Sequence, residues 1–176
     1  MILIRPSAAH KNEALAFRQE FFDHGERTIN GSELLDQTDD YDTWLQSVTA
    51  NTNPETVNPN WVVTDTFFAV DDAGRIVGII DLRHTLNDFL RDFGNCGYSV
   101  RPAERRKGYA TEMLRMLLQV AAEAGLTELH LSVERSNTPS VKTIVRNGGV
   151  LERSFVFEGE PADIYRIVLQ DTAAPV

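Results

Sequence analysis

Hydrophobic positions along the chain change their period several times, and each change marks an element. "MILIR" reads as a short strand closed by Pro6. "SAAHKNEALAFRQEFFDHG" has helical spacing, with Ser7 placed to cap it, Gly25 to end it, and Ala14, Leu15, Phe17, Phe21 and Phe22 to supply its buried side. Residues 30–65 follow no single period: "YDTWLQSVTA" is a second helical candidate and "NTNPETVNPN" is rich in turn formers. Such a polar, aromatic-containing excursion serves either as a lid over a substrate or as a plain surface connection.

From Thr66 the pattern becomes that of a β-hairpin, "TFFAV" and "RIVGIIDLRH" joined by the turn "DDAG". "TLNDFLRDF" is a loop or a short amphipathic element, and "GNCGYSV" is a strand stopped at Arg101 and Pro102. After Gly108 a helix puts Ala110, Met113, Leu114, Leu117, Ala121 and Ala124 on one face, with Gly125 as terminator. "TELHLSV" is a strand, "TPSVKTIVRNGG" a helix, and "VLERSFVFEG" with "PADIYRIVLQ" a closing strand pair. The tail "DTAAPV" is expected to fray. This order predicts an α/β fold, antiparallel in its front half, with a parallel crossover from Val100 through a helix to Leu129. Sites in such sheets gather at the carboxyl ends of parallel strands, here Arg101 to Ala110.

Composition narrows the possibilities. A chain of 176 residues, 42% hydrophobic and 24% charged, fits a single folded domain spanning residues 1–176. With 26 acids against 17 bases and a formal charge of -9, it lacks the broad basic surface that nucleic acid requires. The negative charge suits a cationic substrate, and it equally keeps a protein in solution. One cysteine, Cys96, excludes an internal disulfide, and His10, His24, His84 and His130 are too scattered for a metal motif. No apolar run approaches membrane-spanning length, and the short apolar start is broken by Arg5 and Pro6, so a cytoplasmic address without a membrane partner is expected.

In "RPAERRKGYATEML", three cations, Arg105, Arg106 and Lys107, stand directly before a glycine and a helix. Free backbone N–H groups at a helix start, with Gly108 allowing close approach, make an anion site. The spacing is neither that of a P-loop nor that of a GxGxxG dinucleotide turn. "GYSVRPAERRKGYATEML" resembles the acetyl-CoA-binding segment of the GCN5-related N-acetyltransferase (GNAT) superfamily, whose hallmark is matched by Arg105, Gly108 and Ala110. "SNTPSVKTIVRNGG" resembles the asparagine-containing loop and helix of the same family. The chain is most similar to poorly characterised bacterial predicted acetyltransferases, over roughly Ile2 to Leu169.

The resemblance implies a mixed central sheet with splayed strands flanked by helices. It implies that N–H groups from Arg106 through Thr111 hold the coenzyme pyrophosphate, with Arg105, Lys107, Tyr109, Asn137 and Ser140 around the cofactor and the Tyr98 to Val100 strand beside the pantetheine arm. It also implies acetyl-CoA as cosubstrate without a metal, and direct acetyl transfer to a primary amine of a small molecule or peptide. By the same analogy Val100 N–H is the oxyanion donor.

Transfer to an amine needs a base, because a lysine-like ammonium with pKa about 10.4 must lose a proton. Strand alternation puts His130, Ser132 and Glu134 on one face, making Glu134 the first choice, although relatives carry the glutamate two residues earlier, at Ser132. Asp81 and His84 are the alternatives, and either could instead bind the substrate ammonium. Relatives place a general-acid tyrosine at Ile144; here Tyr98 or Tyr109 could serve, or water, or the thiolate could leave unassisted. Cys96 reads as a packed structural thiol. The missing tyrosine motivates a second reading, a non-catalytic acyl-CoA-binding regulator, and a nucleotide-binding module is a third. "DQTDDYD" would suit a polycationic acceptor, and exposed late strands would suit a homodimer.

Overall fold

The computed structural model describes residues 1–169; residues 170–176, where the tail was expected to fray, lie outside the described residues. The strands are β1 (Ile2–Ile4), β2 (Thr64–Val70), β3 (Ile76–Arg83), β4 (Tyr98–Val100), β5 (Glu128–Glu134), β6 (Val150–Phe157) and β7 (Glu160–Val168). The helices are α1 (Lys11–Asp23), α2 (Tyr41–Ala50), α3 (Tyr109–Glu123) and α4 (Thr138–Arg146).

β2 and β3 are buried along almost their whole length because helices cover both sides of them. Phe67, Ala69, Val77 and Ile80 face Met113, Leu114, Leu117 and Ala121 of α3. Phe68, Val70, Ile76 and Ile79 face Ala14, Phe17 and Phe21 of α1 and Trp44 and Val48 of α2. That double burial explains the near-continuous apolar runs "TFFAV" and "IVGII". α1 buries Ala14, Phe17 and Phe21, whereas Leu15 and Phe22 sit at its margin. Ser7 heads this segment through a capping box with His10. α2 occupies the stretch expected of it, and Asp40 caps it by accepting from the Asp42 N–H. α3 ends at Glu123, so Ala124, expected on the apolar face, is its exposed C-cap.

All strand ladders among the described residues are antiparallel, in two sheets ordered β1-β2-β3-β4 and β5-β7-β6. The parallel crossover is therefore corrected: α3 carries the chain to a strand that does not pair with β4. The sheets meet just before β4, where Asn95 N–H donates to the His130 carbonyl at 2.7 Å and His130 N–H donates to Asn95 Oδ1 at 2.9 Å. Beyond that point β4 and β5 share no ladder, which is the splay.

The loop after β4 is fastened to α1 by charge. Arg101, nearly buried, donates from Nε to Glu20 and from Nη1 to Glu13, each at 2.6 Å, while the Ala103 N–H donates to Glu20 at 2.8 Å. Burial pushes the Glu20 carboxyl up, but Arg101, the Ala103 N–H and Arg75 together hold it below its ordinary value. Glu26 is likewise lowered, chiefly by Arg105. Both folded values lie below the ordinary 4.5, so their stabilisation is complete above that pH and is lost as pH falls through the lowered values. Arg101→Ala strands two carboxylates and should lower unfolding stability by about 3 kcal/mol, measured by denaturant at pH 7. The deficit should shrink below pH 4, where wild type loses the same interaction.

Candidate active site

The direction of each β4 backbone group follows from its register. Asp81 N–H donates to the Gly97 carbonyl and Arg101 N–H to the Val77 carbonyl, marking 81/97 and 77/101 as bonded pairs. Antiparallel pairs alternate, so 80/98 and 78/100 are the non-bonded ones. The N–H and C=O groups of Tyr98 and Val100 therefore point away from β3, into the gap. A groove of about 800 Å3 occupies that gap, walled by Tyr98, Ser99 and Val100 on one side and Ser132, Val133 and Glu134 on the other.

One end of the groove is the start of α3. Gly108 is its N-cap at φ 87°, and Arg106 is also left-handed at φ 64°. The N–H groups of Arg106 through Thr111 donate to no acceptor among the described residues. Successive free amides at a left-handed turn and a helix start form a concavity for an anion. A Cβ added at Gly108 would meet nothing within 4 Å, so space for a ligand lies directly over the turn. Arg106, Gly108, Tyr109, Ala110 and Thr111 all line the groove.

The side-chain cations are less free than their sequence implies. Arg105 makes a two-pronged bond to Glu26 at 2.7 and 2.8 Å and stacks over Phe21, although it still borders the groove. Lys107 binds Glu104 at 2.7 Å and does not reach the groove wall. Positive charge thus anchors the loop, and the free amides face the cavity. Asn137 caps α4 by accepting from the Ser140 N–H, and both residues line the groove.

The expected catalytic residues separate. Glu134 is exposed at the end of β5 and lines the groove. Tyr98 also lines it, with its hydroxyl 2.7 Å from Ser140 Oγ, and burial raises its phenol well above the ordinary value. Asp81 is 0% exposed, accepts from the Gly97 N–H, and lies 2.9 Å from the Arg83 guanidinium. His84 binds Asp65 at 2.8 Å and borders neither cavity, so it is not placed to hold an acceptor. Ile144 is packed in the core and touches the groove, while burial and Asp81 push the Cys96 thiol well up.

A second cavity of about 300 Å3 lies between residues 28–37, 60–64 and 83–90, sharing Thr28, Asn30, Gly31 and Arg83 with the groove. Trp61 and Asn60 of the irregular excursion form part of its wall. So does Glu33, which sequence reading passed over. Glu33 and Leu34 are left-handed at φ 50° and 69°, a conformation that side chains disfavour. Trp44 holds them there by donating from Nε1 to the carbonyls of Ser32 and Glu33, at 2.9 and 3.1 Å. Burial, and then Asp81 beside it, raise the Glu33 carboxyl to about 8, against a smaller opposing effect of Arg83.

A family model described as the acetyltransferase (GNAT) domain matches residues 2–150. The chain belongs to that family. Solved structures share its fold at low identity. They include yncA of Salmonella typhimurium, solved with its cofactor acetyl-CoA (18% identity, 99% of this chain and 97% of that chain covered, TM-score 0.68). A mutant of the spermidine N-acetyltransferase SpeG from Vibrio cholerae aligns at 13% identity (96% and 95% covered, TM-score 0.67). RimL, a ribosomal L7/L12 alpha-N-protein acetyltransferase in complex with coenzyme A, aligns at 11% identity (96% and 94%, TM-score 0.70). No curated protein matches the sequence.

Within this GNAT chain, Gly31 presses the cavity loop onto the head of β4. At φ 75°, a Cβ there would lie 2.2 Å from the Gly97 carbonyl oxygen and 2.9 Å from the Tyr98 nitrogen. Gly31→Ala should therefore displace residues 30–34 and lower the melting temperature by several degrees. Gly108→Ala has open space and should cost only about 1 kcal/mol through its φ. Thermal unfolding of both variants checks the contrast.

Proposed function

We propose that this protein transfers the acetyl group of acetyl-CoA directly to a primary amine of a small molecule or peptide. The observation that carries this reading is the row of unpaired N–H groups from Arg106 to Thr111 at one end of a groove that follows the free edge of β4. A diphosphate fits such a turn by hydrogen bonding to the amides. The outward groups of Tyr98 offer strand-like pairing to an amide-bearing arm, the Val100 carbonyl accepts from Arg105 Nε at 3.2 Å, and the Val100 N–H is the donor for the developing oxyanion. Asn137 and Ser140 border the same arm. Acetyl-CoA would supply an activated thioester, and no residue assigned here requires a metal.

Glu134 is the base candidate on the groove wall, and Tyr98 is the candidate proton donor to the leaving thiolate. Ile144 favours one competing reading, an acyl-CoA-binding regulator without turnover, because its side chain offers no proton. The charge expected to draw a polycation is largely committed: Asp40 caps α2, and Asp42 binds Lys11 at 2.6 Å. A homodimer would use β6, where Val150, Leu151 and Val156 are exposed.

No helix among the described residues is long and apolar enough to cross a membrane. The cytoplasmic address belongs to the proposal.

Thermal unfolding with acetyl-CoA, ATP and NAD tests the cofactor site without a known acceptor. At one hundred times Kd, acetyl-CoA should add about 2.7 kcal/mol, a rise of roughly 5–10 °C, with little from ATP or NAD. Gly108→Ala should weaken that rise. An equal response to all three ligands would remove the assignment. A rise followed by turnover with an amine excludes the regulator; a rise without turnover supports it.

A further inference from the structure

We propose that the Glu33 carboxyl, on the wall of the 300 Å3 cavity, binds the ammonium of a monoamine with an aromatic or apolar body and takes up its proton. This rests on the transferase reading and names the acceptor class and the residue that receives it.

The location follows from backbone contacts. Gly31 abuts the Gly97 and Tyr98 backbone, and Ser99 Oγ donates to the Asn30 carbonyl at 2.9 Å. Glu33, two residues after Gly31, is thereby held beside the head of β4, where the cavity and the groove share Thr28, Asn30, Gly31 and Arg83. Asp81 Oδ2, in a side chain with no exposure, lies 2.9 Å from Arg83 Nη2 as an ion pair, with no contact of good hydrogen-bond geometry among the described residues. A protonated Glu33 carboxyl would offer Asp81 a hydrogen-bond donor. The pair shares a proton while the cavity is empty, and an arriving ammonium replaces that proton with its own charge.

The groups facing Glu33 set both its titration and the sign of the charge it accepts. Asp81 and Arg83 come from β3, Asp36 from the same loop as Glu33, and the buried Cys96 thiol stands beside Asp81. Asp36 is occupied by the Ile29 N–H at 2.8 Å, and Arg83 offsets Asp81. Asp36 and ionised Glu33 keep the wall acidic, and the apolar side chains of Trp61, Val62, Leu34 and Phe89 are what favour a monoamine with an apolar body. Of these, Phe89 is 73% exposed. Phe89 stacks on Phe93 at 5.0 Å, which meets Phe157 at 5.4 Å, extending an aromatic run from the cavity to the groove.

In the reaction the ammonium gives one proton to the Glu33 carboxylate. The amine lone pair then attacks the thioester carbonyl carbon, so C–N forms and C–S breaks. The second nitrogen proton leaves with the coenzyme thiolate as thiol, and Glu33 later returns its proton to solvent. In this reading Glu33 takes the place of Glu134 as the base.

The test uses 2-phenylethylamine and spermidine as acceptors with wild type, Glu33→Gln and Phe89→Ala. Wild type should acetylate 2-phenylethylamine with kcat/KM at least tenfold above spermidine. Glu33→Gln should lower kcat/KM for 2-phenylethylamine about 100-fold while keeping the acetyl-CoA-induced rise in Tm. Phe89→Ala, at an exposed position, should raise KM and leave kcat unchanged. A readout independent of turnover comes from pH. The folded Glu33 value, about 8, exceeds its ordinary 4.5, so its contribution to stability is complete below 4.5 and is lost as pH rises through about 8. Wild-type Tm should therefore decline between about pH 4.5 and 8, and Glu33→Gln should remove that contribution to the decline. Glu33→Gln within threefold of wild type, or transfer confined to spermidine or peptides, overturns the proposal and leaves the transferase reading standing. Acetyl-CoA binding without transfer to any amine overturns both.

Discussion

Everything at this site depends on the alternation of the β3 and β4 ladder. Because 81/97 and 77/101 are the bonded pairs, the groups of Tyr98 and Val100 have no partner on β3. In a continuous sheet the next strand would take them. Here the sheets are joined at Asn95 and His130 and diverge beyond, so those groups face a groove. Unpaired backbone along a strand edge is ordinarily a hazard. Placed inside a cleft, it becomes a surface complementary to an amide-containing arm.

Holding the cleft open requires a rigid frame, and charge supplies much of it. Arg101 ties the loop after β4 to Glu13 and Glu20 on α1, while Arg105 reaches Glu26 just beyond that helix. Both arginines sit in or beside the segment whose resemblance implied cofactor contact. Their partners show that part of its positive charge fixes the loop geometry. The free amides can then present partial charge at positions that the backbone, rather than mobile side chains, determines. Trp44 acts comparably at the second cavity, holding the Glu33 and Leu34 turn in an unfavoured backbone region through the Ser32 and Glu33 carbonyls.

The motif segments were legible because their chemistry is local. Gly108 before α3 and Asn137 before α4 act within a few residues of their own position, so spacing alone locates them. The same holds for α2, which starts at its capping aspartate. Glu33 left no such signal. Its surroundings come from β3, from the β3 to β4 loop and from Trp44, and an isolated glutamate in an irregular stretch looks like any surface acid. Asp81 failed in the opposite sense: its place on a strand near the expected site was readable, but its complete burial was not.

The sequence by itself determined the element order, the double-sided apolar character of β2 and β3, the turn that frees the α3 amides, and the family. These follow from periodicity, capping and short motifs, which are properties of neighbouring residues. Only the tertiary structure decided that β4 and β5 part, that Arg105 and Lys107 have acidic partners, and that Glu33 meets Asp81 beside a second cavity. Each of these joins residues far apart along the chain, and their mutual distance and burial exist only after the two sheets and the helices have packed.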